Sequence, residues 1–413
     1  MANPSAPAQE GLDIPHVQRR TLTVVSVAQV FSGFGIAAGI TVGALLAASV
    51  WDSTALTGAP AVIMTIGASV AALGIAAMSQ RHGRRAGLAA GYVTGAVGAA
   101  GIIVAVANHW PIVMLLSFLV YGAGSAANLQ ARFTGADLAL PERRARSMSI
   151  VLMATTLGAV LGPVSSRWSG DIVEERGLNP LLGPFAVACV AYAVGAAILW
   201  FALRPDPLLV VRELHGQRAA VSADDPDPDE WRGRVAAAIG IMVIAQAVMI
   251  AVMTMTPVHM TEHHHAIGAI GAVIAAHIAA MYVPSPLSGW LVDRHGSVLV
   301  AFGAGWVLIA SGVVAAVVDP ESVWGSTLAL VLLGFGWSLG MVAGSAMLTS
   351  SAPARLRTRL QGRSDALTTL AGASGAGMAG VVMSWQGYST LAWAAALLAA
   401  VMIPIAVLAR TRR

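Results

Sequence analysis

Two pairs of soft-ligand side chains lie at helical spacing in an apolar part of the chain. Met249 and Met253 are four residues apart, and so are His277 and Met281. Residues four apart share one face of an α-helix, so each pair places two ligand atoms side by side. Thioethers and imidazole suit Cu(I), and such a neutral set buries no anion. Cu(I) binding is therefore one interpretation of these pairs.

The same pairs also have a simple packing interpretation. The chain contains 17 methionines, and methionine commonly fills gaps between apolar side chains. The histidines at 263–265, which follow Glu262, are read as a short solvated loop in preference to a metal-collecting mouth. Packing and metal binding both stay open for the paired residues.

The composition places these pairs in a membrane. The chain is 57% hydrophobic and 11% charged, with a mean hydropathy of +0.74, whereas soluble domains carry about 25% charged residues. Windows of about twenty residues predict an all-α integral membrane protein with twelve transmembrane helices. The predicted spans are 21–48, 57–78, 86–107, 111–137, 147–168, 181–203, 235–258, 266–290, 298–318, 323–350, 360–384 and 388–408.

The positive charges predict the orientation. All 24 basic residues are arginine, and with an internal N-terminus only Arg167 and Arg176 fall outside. By the positive-inside rule both termini are expected in the cytoplasm, and the protein in the cytoplasmic membrane. The first twenty residues lack an apolar core, so no cleavable signal peptide is expected. Cys189 is the single cysteine, which excludes an intramolecular disulfide.

Two loop sequences recur in the second part of the chain. QRHGRR (80–85) corresponds to DRHGSV (293–298) at an offset of 213, and PERRARSMS (141–149) to PARLRTRLQ (353–361) at 212. Such repetition predicts a duplicated six-helix unit. The expected parts are a cytoplasmic tail (1–20), a first half (21–203), a cytoplasmic linker with no fold of its own (204–234), a second half (235–408) and a short tail (409–413).

This layout resembles the major facilitator superfamily, whose signature after the second helix of a half is G-x-x-x-D-R-x-G-R-R/K. The second copy matches at Gly289, Asp293, Arg294 and Gly296, and the first at Arg81, Gly83, Arg84 and Arg85. The resemblance implies that the motif acid helps to hold the halves together in an outward-open state. The first copy has Gln80 for this acid and Ala76 for the first glycine, so its gate is expected to use other contacts.

The methionine and histidine pairs add a finer resemblance. MIAVM (249–253) followed by HIAAM (277–281) resembles the paired motif of CcoA-type copper importers. The resemblance implies that Met249, Met253, His277 and Met281 are the copper ligands. The wider family around these importers also includes riboflavin carriers, and the span-4 segment NLQAR is shared with that wider group.

A few polar side chains lie within or at the ends of the spans. Arg132 and Asp137 end span 4, and Asn128 lies one turn deeper. Being five apart, Arg132 and Asp137 are expected to bond to neighbouring helices, either as a structural charge network or in substrate or proton handling. Gln29 and Gln246 could bind substrate or join helices.

These features predict a secondary transporter that works by alternating access, with copper import through helices 7 and 8 as the leading function. The alternative is an organic-solute carrier, either a riboflavin-type importer or a proton-coupled exporter, with cavity walls from Trp337, Phe335, Phe31 and Phe34. Enzyme motifs and an ATP-binding module are absent from the sequence. We expect a monomer in the lipid bilayer with a small-molecule or metal-ion substrate, no nucleic-acid partner, and no permanently bound cofactor; Cu(I) would be a substrate.

Overall fold

The computed structural model describes residues 13–51, 58–219 and 228–411, and within them every regular element is a helix. Fourteen α-helices follow one another along these residues. They are α1 (Ile14–Trp51), α2 (Ala59–His82), α3 (Arg84–Ala107), α4 (Pro111–Ala136), α5 (Arg144–Glu174), α6 (Gly183–Ala202), α7 (Pro207–Ala219), α8 (Pro228–Glu262), α9 (Ile267–Tyr282), α10 (Ser285–His295), α11 (Ser297–Val317), α12 (Val323–Ser351), α13 (Arg357–Ala400) and α14 (Met402–Thr411).

The long helices match the predicted membrane spans. Ten segments of the described residues are long and apolar enough to cross a membrane. One of them, Arg357–Arg410, is 54 residues long and bends at Gly387, whose φ is 79°, so it holds two of the predicted spans. The first predicted span lies inside α1. The chain is therefore an all-α, multi-pass membrane protein, as its composition predicts.

The predicted span 266–290 is divided into two helices. α9 ends at Tyr282 and α10 begins at Ser285. Pro284 precedes α10 and a second proline lies in its first turn. Because proline has no backbone N–H and fixes φ, it starts helices readily and interrupts continuous ones.

Part of the predicted linker is helical, which corrects the expectation that it has no fold of its own. Asp206 begins α7, and its Oδ1 accepts backbone N–H groups from Leu208 at 3.0 Å and Leu209 at 3.3 Å. This is an N-cap, which satisfies N–H groups that have no partner within the helix. Val210 of α7 packs against Val17 and Leu138, so α7 lies against the end of the bundle. Residues 220–227 lie outside the described part.

Apolar side chains form two large clusters. One is built from residues between Val25 and Leu203, with Ala366 added. The other is built mainly from residues between Ala238 and Ala409. The two groups of helices meet chiefly where α2 packs on α13 and α5 packs on α10. These two crossings position the polar contacts described next.

Candidate functional site

The α5–α10 and α2–α13 crossings are related by the 213-residue repeat. In each crossing a glycine lets the two helices approach closely, but it lies on the motif helix in one crossing and on the partner helix in the other. A Cβ built on Gly289 of α10 would lie 2.4 Å from Ser149 Oγ of α5. At the other crossing, a Cβ on Gly362 of α13 would lie 2.2 Å from Ala76 Cβ of α2. Gly289 lies 213 positions after Ala76, and Ser149 and Gly362 correspond as the sixth residues of α5 and α13. The first motif can carry alanine because its partner helix supplies the glycine.

The motif acid of the second copy joins the two halves. Asp293 accepts the backbone N–H groups of Ala145 at 2.9 Å and Arg146 at 3.0 Å. These groups lie at the start of α5, where the helix end is positive. At the equivalent position, Gln80 donates Nε2–H to the carbonyl of Arg355 at 2.9 Å. The first copy therefore bridges the halves with a neutral hydrogen bond.

The remaining motif residues shape the turns beside these bridges. Gly83 and Gly296 have φ of 90° and 87° and separate the helices on either side of each motif loop. The carboxylate of Asp206 packs against Gly83 and accepts the N–H of Arg85 at 2.8 Å. In the described structure Arg294 lies over the Trp290 ring, 5.1 Å from its centroid, and Arg81 is exposed.

Arg84, a residue of the first motif copy, forms hydrogen bonds at the interface between the halves. Its Nε donates to Asp137 Oδ2 at 2.8 Å and its Nη2 to Oδ1 at 3.2 Å. Nη2 also donates to Gln361 Oε1 of α13 at 2.7 Å. Only 1% of the Arg84 side chain is exposed. Asp137 thus pairs with a neighbouring helix, as its spacing from Arg132 predicts.

A second buried ion pair joins α4 to α13. Arg132 Nη2 donates to Asp365 Oδ1 at 2.6 Å, and neither side chain is exposed. Arg132 also donates to Ser345 Oγ at 2.9 Å and to the carbonyl of Leu129. Asp365 Oδ2 is buried without a hydrogen-bond partner. Sequence reasoning missed Asp365, although a lone carboxylate inside a predicted span is a functional signal.

Gln29 and Asn128 belong to one polar network in the first half. Gln29 Nε2 donates to the Asn128 carbonyl and to Thr155 Oγ1, both at 3.1 Å. Asn128 Nδ2 donates to Ser32 Oγ at 3.0 Å, and Tyr92 donates its hydroxyl hydrogen to Gln29 Oε1. The network links α1, α3, α4 and α5 without a formal charge.

Gln246 has aromatic partners in the second half. Trp337 Nε1 donates to Gln246 Oε1 at 2.7 Å, and the Tyr282 ring lies edge-on to Trp337 with centroids 5.7 Å apart. An indole N–H can only donate, so the Gln246 oxygen faces Trp337 and the amide nitrogen keeps its donors for another partner. Tyr282 was not expected at the site. Its place beside Met281 in the predicted span was the available signal.

The predicted copper ligands lie in α8 and α9. Met249 and Met281 are 3% and 6% exposed within the second apolar cluster, and Met253 packs at its edge. His277 is fully buried, and its Nδ1 bonds to the Leu330 carbonyl at 2.8 Å. A carbonyl can only accept, so Nδ1 carries the hydrogen and Nε2 keeps its lone pair. That Nε2 is buried and has no hydrogen-bond partner.

The histidines at the C-terminal end of α8 and in the loop that follows it contact aromatic rings or a backbone carbonyl. His259 stacks on Tyr388 at 4.2 Å between centroids and lies edge-on to His263 at 4.6 Å. His265 Nε2 bonds to the Pro320 carbonyl at 2.9 Å. Across the described residues, no group of three or more His, Cys, Asp or Glu side chains is arranged to hold a metal ion.

Comparison with known proteins identifies relatives of this chain. The sequence profile of the Major Facilitator Superfamily matches residues 25–235 and 237–413. The chain is 41% identical to the uncharacterized MFS-type transporter YdeG of Bacillus subtilis (strain 168), over 95% of this chain and 93% of that protein. It is 26% identical to the riboflavin transporter RfnT of Brucella anthropi, over 94% of this chain and 95% of that protein.

Solved structures share the fold. The human organic anion transporter MFSD10 superposes with a TM-score of 0.71 at 17% identity, over 94% of this chain and 99% of that one. The transporter FucP in its outward conformation gives a TM-score of 0.67 at 15% identity, over 95% and 98%. At these identities the likeness extends to the fold alone.

Proposed function

Because the chain belongs to the Major Facilitator Superfamily and is a membrane transporter, we propose that its cargo is a planar organic solute of the flavin class. The observation that carries this proposal is the amide and aromatic cluster of Gln246, Trp337 and Tyr282. The similarity to a riboflavin transporter supports the same class of cargo. Copper import, which the sequence favours, becomes the second candidate.

The chemistry of the cluster suits such a solute. Tryptophan and tyrosine offer flat faces and ring edges to an aromatic ligand. The Gln246 amide nitrogen offers donors to a ring carbonyl, since its oxygen is already occupied by Trp337. In the other half, the buried network of Gln29 and Asn128 also carries no formal charge. A site without formal charge favours a neutral ring system, because a charged ligand would lose hydration without gaining a partner.

Alternating access requires the contacts at the arginine-bearing end to open. Three bridges join the halves there, through Asp293, Gln80 and Arg84, and Arg132–Asp365 lies less than three turns from the same end of α13. The positive-inside rule predicts that this end faces the cytoplasm, so these contacts would close the inner side of the transporter. Solute bound between the halves would be released inward when these contacts separate.

The Arg132–Asp365 pair is proposed as the step that couples this opening to protons. Leaving one member of a buried ion pair without its partner costs about 3–5 kcal/mol. A proton bound by Asp365 removes the charge that holds the halves together, and Arg132 is then hydrated from the opening cavity. The unpartnered Oδ2 of Asp365 is an acceptor for that proton.

The second candidate is Cu(I), and it rests on His277. A histidine whose Nδ1–H is held by a carbonyl presents its Nε2 lone pair in a fixed direction, which is the arrangement found in metal ligands. The buried, unpartnered Nε2 of His277 fits this arrangement. Methionines at 249, 253 and 281 would supply thioether sulfur, which Cu(I) accepts.

Equilibrium binding to the purified protein separates the two candidates. Flavin fluorescence is quenched when its ring stacks on an aromatic side chain, so titration of riboflavin with protein reports binding directly. We expect quenching whose apparent Kd rises at least tenfold in Gln246→Ala. The Kd should not change in Trp324→Phe, an exposed control on α12. The opposite result is an absence of riboflavin binding by the wild type, together with Cu(I) binding under reducing conditions that His277→Asn abolishes. That result would replace the flavin proposal with copper.

A further inference from the structure

A cavity of about 360 Å³ lies at the arginine-bearing end, apart from the proposed cargo site. It is bounded by both halves and by α7, which lies between them in the chain. Its lining residues are Gln80, Arg84, Asp137, Leu208, Val211, Arg212, Ala354, Arg355, Arg357 and Thr358. Four of these residues are arginines and one is acidic.

Among the described residues of the lining, the one acid is already engaged. Both oxygens of Asp137 accept hydrogen bonds from Arg84, so this pair contributes no net charge. Arg212 and Arg357 add their positive charges to the same space. The described lining therefore keeps the positive charges of Arg212 and Arg357 after its internal ion pair has been counted.

Arg357 brings an unsatisfied hydrogen-bond donor to the lining of this cavity. Its Nε is buried without a hydrogen-bond partner, and its Nη2 makes only a long bond, 3.4 Å, to the Ala352 carbonyl. Arg144 and Arg84 both repel its charge, and Asp137 attracts it. A buried guanidinium N–H without an acceptor is unfavourable unless a ligand supplies one.

We infer that this cavity is a regulatory site for a phosphate-bearing anion. A phosphate group offers several strong acceptor oxygens to guanidinium groups, which bind it with parallel hydrogen bonds. The Thr358 hydroxyl and the Gln80 amide can supply further donors. A cavity near 300 Å³ is at the small end of ligand pockets, which fits inorganic phosphate or the head of a phosphate ester.

The position of the site indicates what occupancy would do. The anion would contact Arg84 of the first half, Arg212 of α7 and Arg357 of the second half. A ligand that binds one conformation more tightly shifts the population toward it. Occupancy would therefore hold the arginine-bearing end closed and slow the opening that transport requires. This inference depends on the fold and not on the identity of the cargo.

The test uses the full-length protein in a neutral detergent, with inorganic phosphate, glycerol 3-phosphate and chloride at equal ionic strength. We expect both phosphate compounds, and not chloride, to raise the melting temperature progressively with their concentration. Arg357→Gln and Arg212→Gln should each raise the apparent Kd at least tenfold, whereas Arg410→Gln, at the end of α14, should not change it. Arg212 is exposed on α7, so its substitution stays informative if Arg357→Gln fails to fold.

A second arm distinguishes a soluble phosphate from a lipid headgroup. The protein is placed in vesicles of phosphatidylcholine alone or with phosphatidylglycerol, and protection by the anionic lipid is measured for wild type and Arg212→Gln. Protection lost in the variant assigns the lipid as the source. Equal responses of wild type and both arginine variants to phosphate and to phosphatidylglycerol would overturn the site, and so would identical responses to phosphate and chloride.

Discussion

Arg132 and Asp365 come from the two different halves of the sequence and form a 2.6 Å ion pair from which water is excluded. Arg132 also bonds to Ser345, which is its counterpart at the 213-residue offset. The pair therefore lies where the two repeats meet. Any opening of this interface must separate a buried cation from a buried anion.

Replacing the charge of Asp365 separates its structural role from its role in transport. Asp365→Asn leaves Arg132 without its anion, so we expect the free energy of unfolding to fall by about 3–5 kcal/mol. The double variant Arg132→Met with Asp365→Leu should recover most of that stability, because apolar replacement of a buried pair is often neutral or stabilising. Both should be inactive in proton-driven uptake, while Asp171→Asn, on the exposed part of α5, keeps activity. Full uptake by the double variant would refute the coupling role.

Exchanging the glycine between the two helix crossings tests the packing relationship directly. Gly362→Ala brings a Cβ to 2.2 Å from that of Ala76, and such overpacking costs about 1–3 kcal/mol. Adding Ala76→Gly moves the glycine to the motif position and should recover part of the lost melting temperature, because the Ala72 carbonyl oxygen still lies 2.9 Å from the new Cβ. If the double variant is no more stable than Gly362→Ala, the two helices do not meet as described.

Restoring the acid of the first motif should strengthen the closed end. In Gln80→Asp, we expect the shorter carboxylate to give up the bond to the Arg355 carbonyl and to accept N–H groups at the start of α13, as Asp293 does at the start of α5. An anion near a helix N-terminus contributes about 1 kcal/mol, so we expect a higher melting temperature and slower transport. Asp293→Asn should show the opposite pair of changes. Faster transport in Gln80→Asp would show that this bridge does not limit opening.

His277→Asn tests the role of the Nε2 lone pair separately from that of the Nδ1–H donor. Asparagine can keep an N–H donor for the Leu330 carbonyl but lacks the Nε2 acceptor. We expect the melting temperature to change by less than in His277→Ala, since the carbonyl stays paired in one variant and not in the other. Cu(I) affinity, measured by competition with a Cu(I) chelator, should fall at least tenfold only if Nε2 is a ligand. Unchanged affinity in both variants would leave His277 as a packing residue.

The membrane architecture could be predicted from the sequence because span length and loop arginines are local properties. The helix break at Pro284 and the N-cap at Asp206 also depend on local residues. The partner of Arg132 could not be derived in the same way. Asp365 is 233 positions away, and only the packing of α4 against α13 brings the two together.

The candidate cargo residues show the same limit. Helical spacing placed the methionine and histidine pairs on α8 and α9, yet it could not show that His277 bonds to α12 through Leu330. Gln246 and Trp337 were each noted as cavity residues, but 91 positions separate them. Their hydrogen bond depends on how α8 and α12 pack.

Uptake of radiolabelled riboflavin into proteoliposomes, with an inward proton gradient, tests the central claim most directly. Wild type, Trp337→Phe, Gln246→Ala and the control Trp324→Phe would be compared at equal protein content. We predict uptake that saturates, that collapses with the gradient, and that falls at least tenfold in Gln246→Ala and clearly in Trp337→Phe but not in the control. Riboflavin uptake equal to that of empty liposomes, while the same vesicles accumulate Cu(I) through a His277-dependent route, would contradict the account.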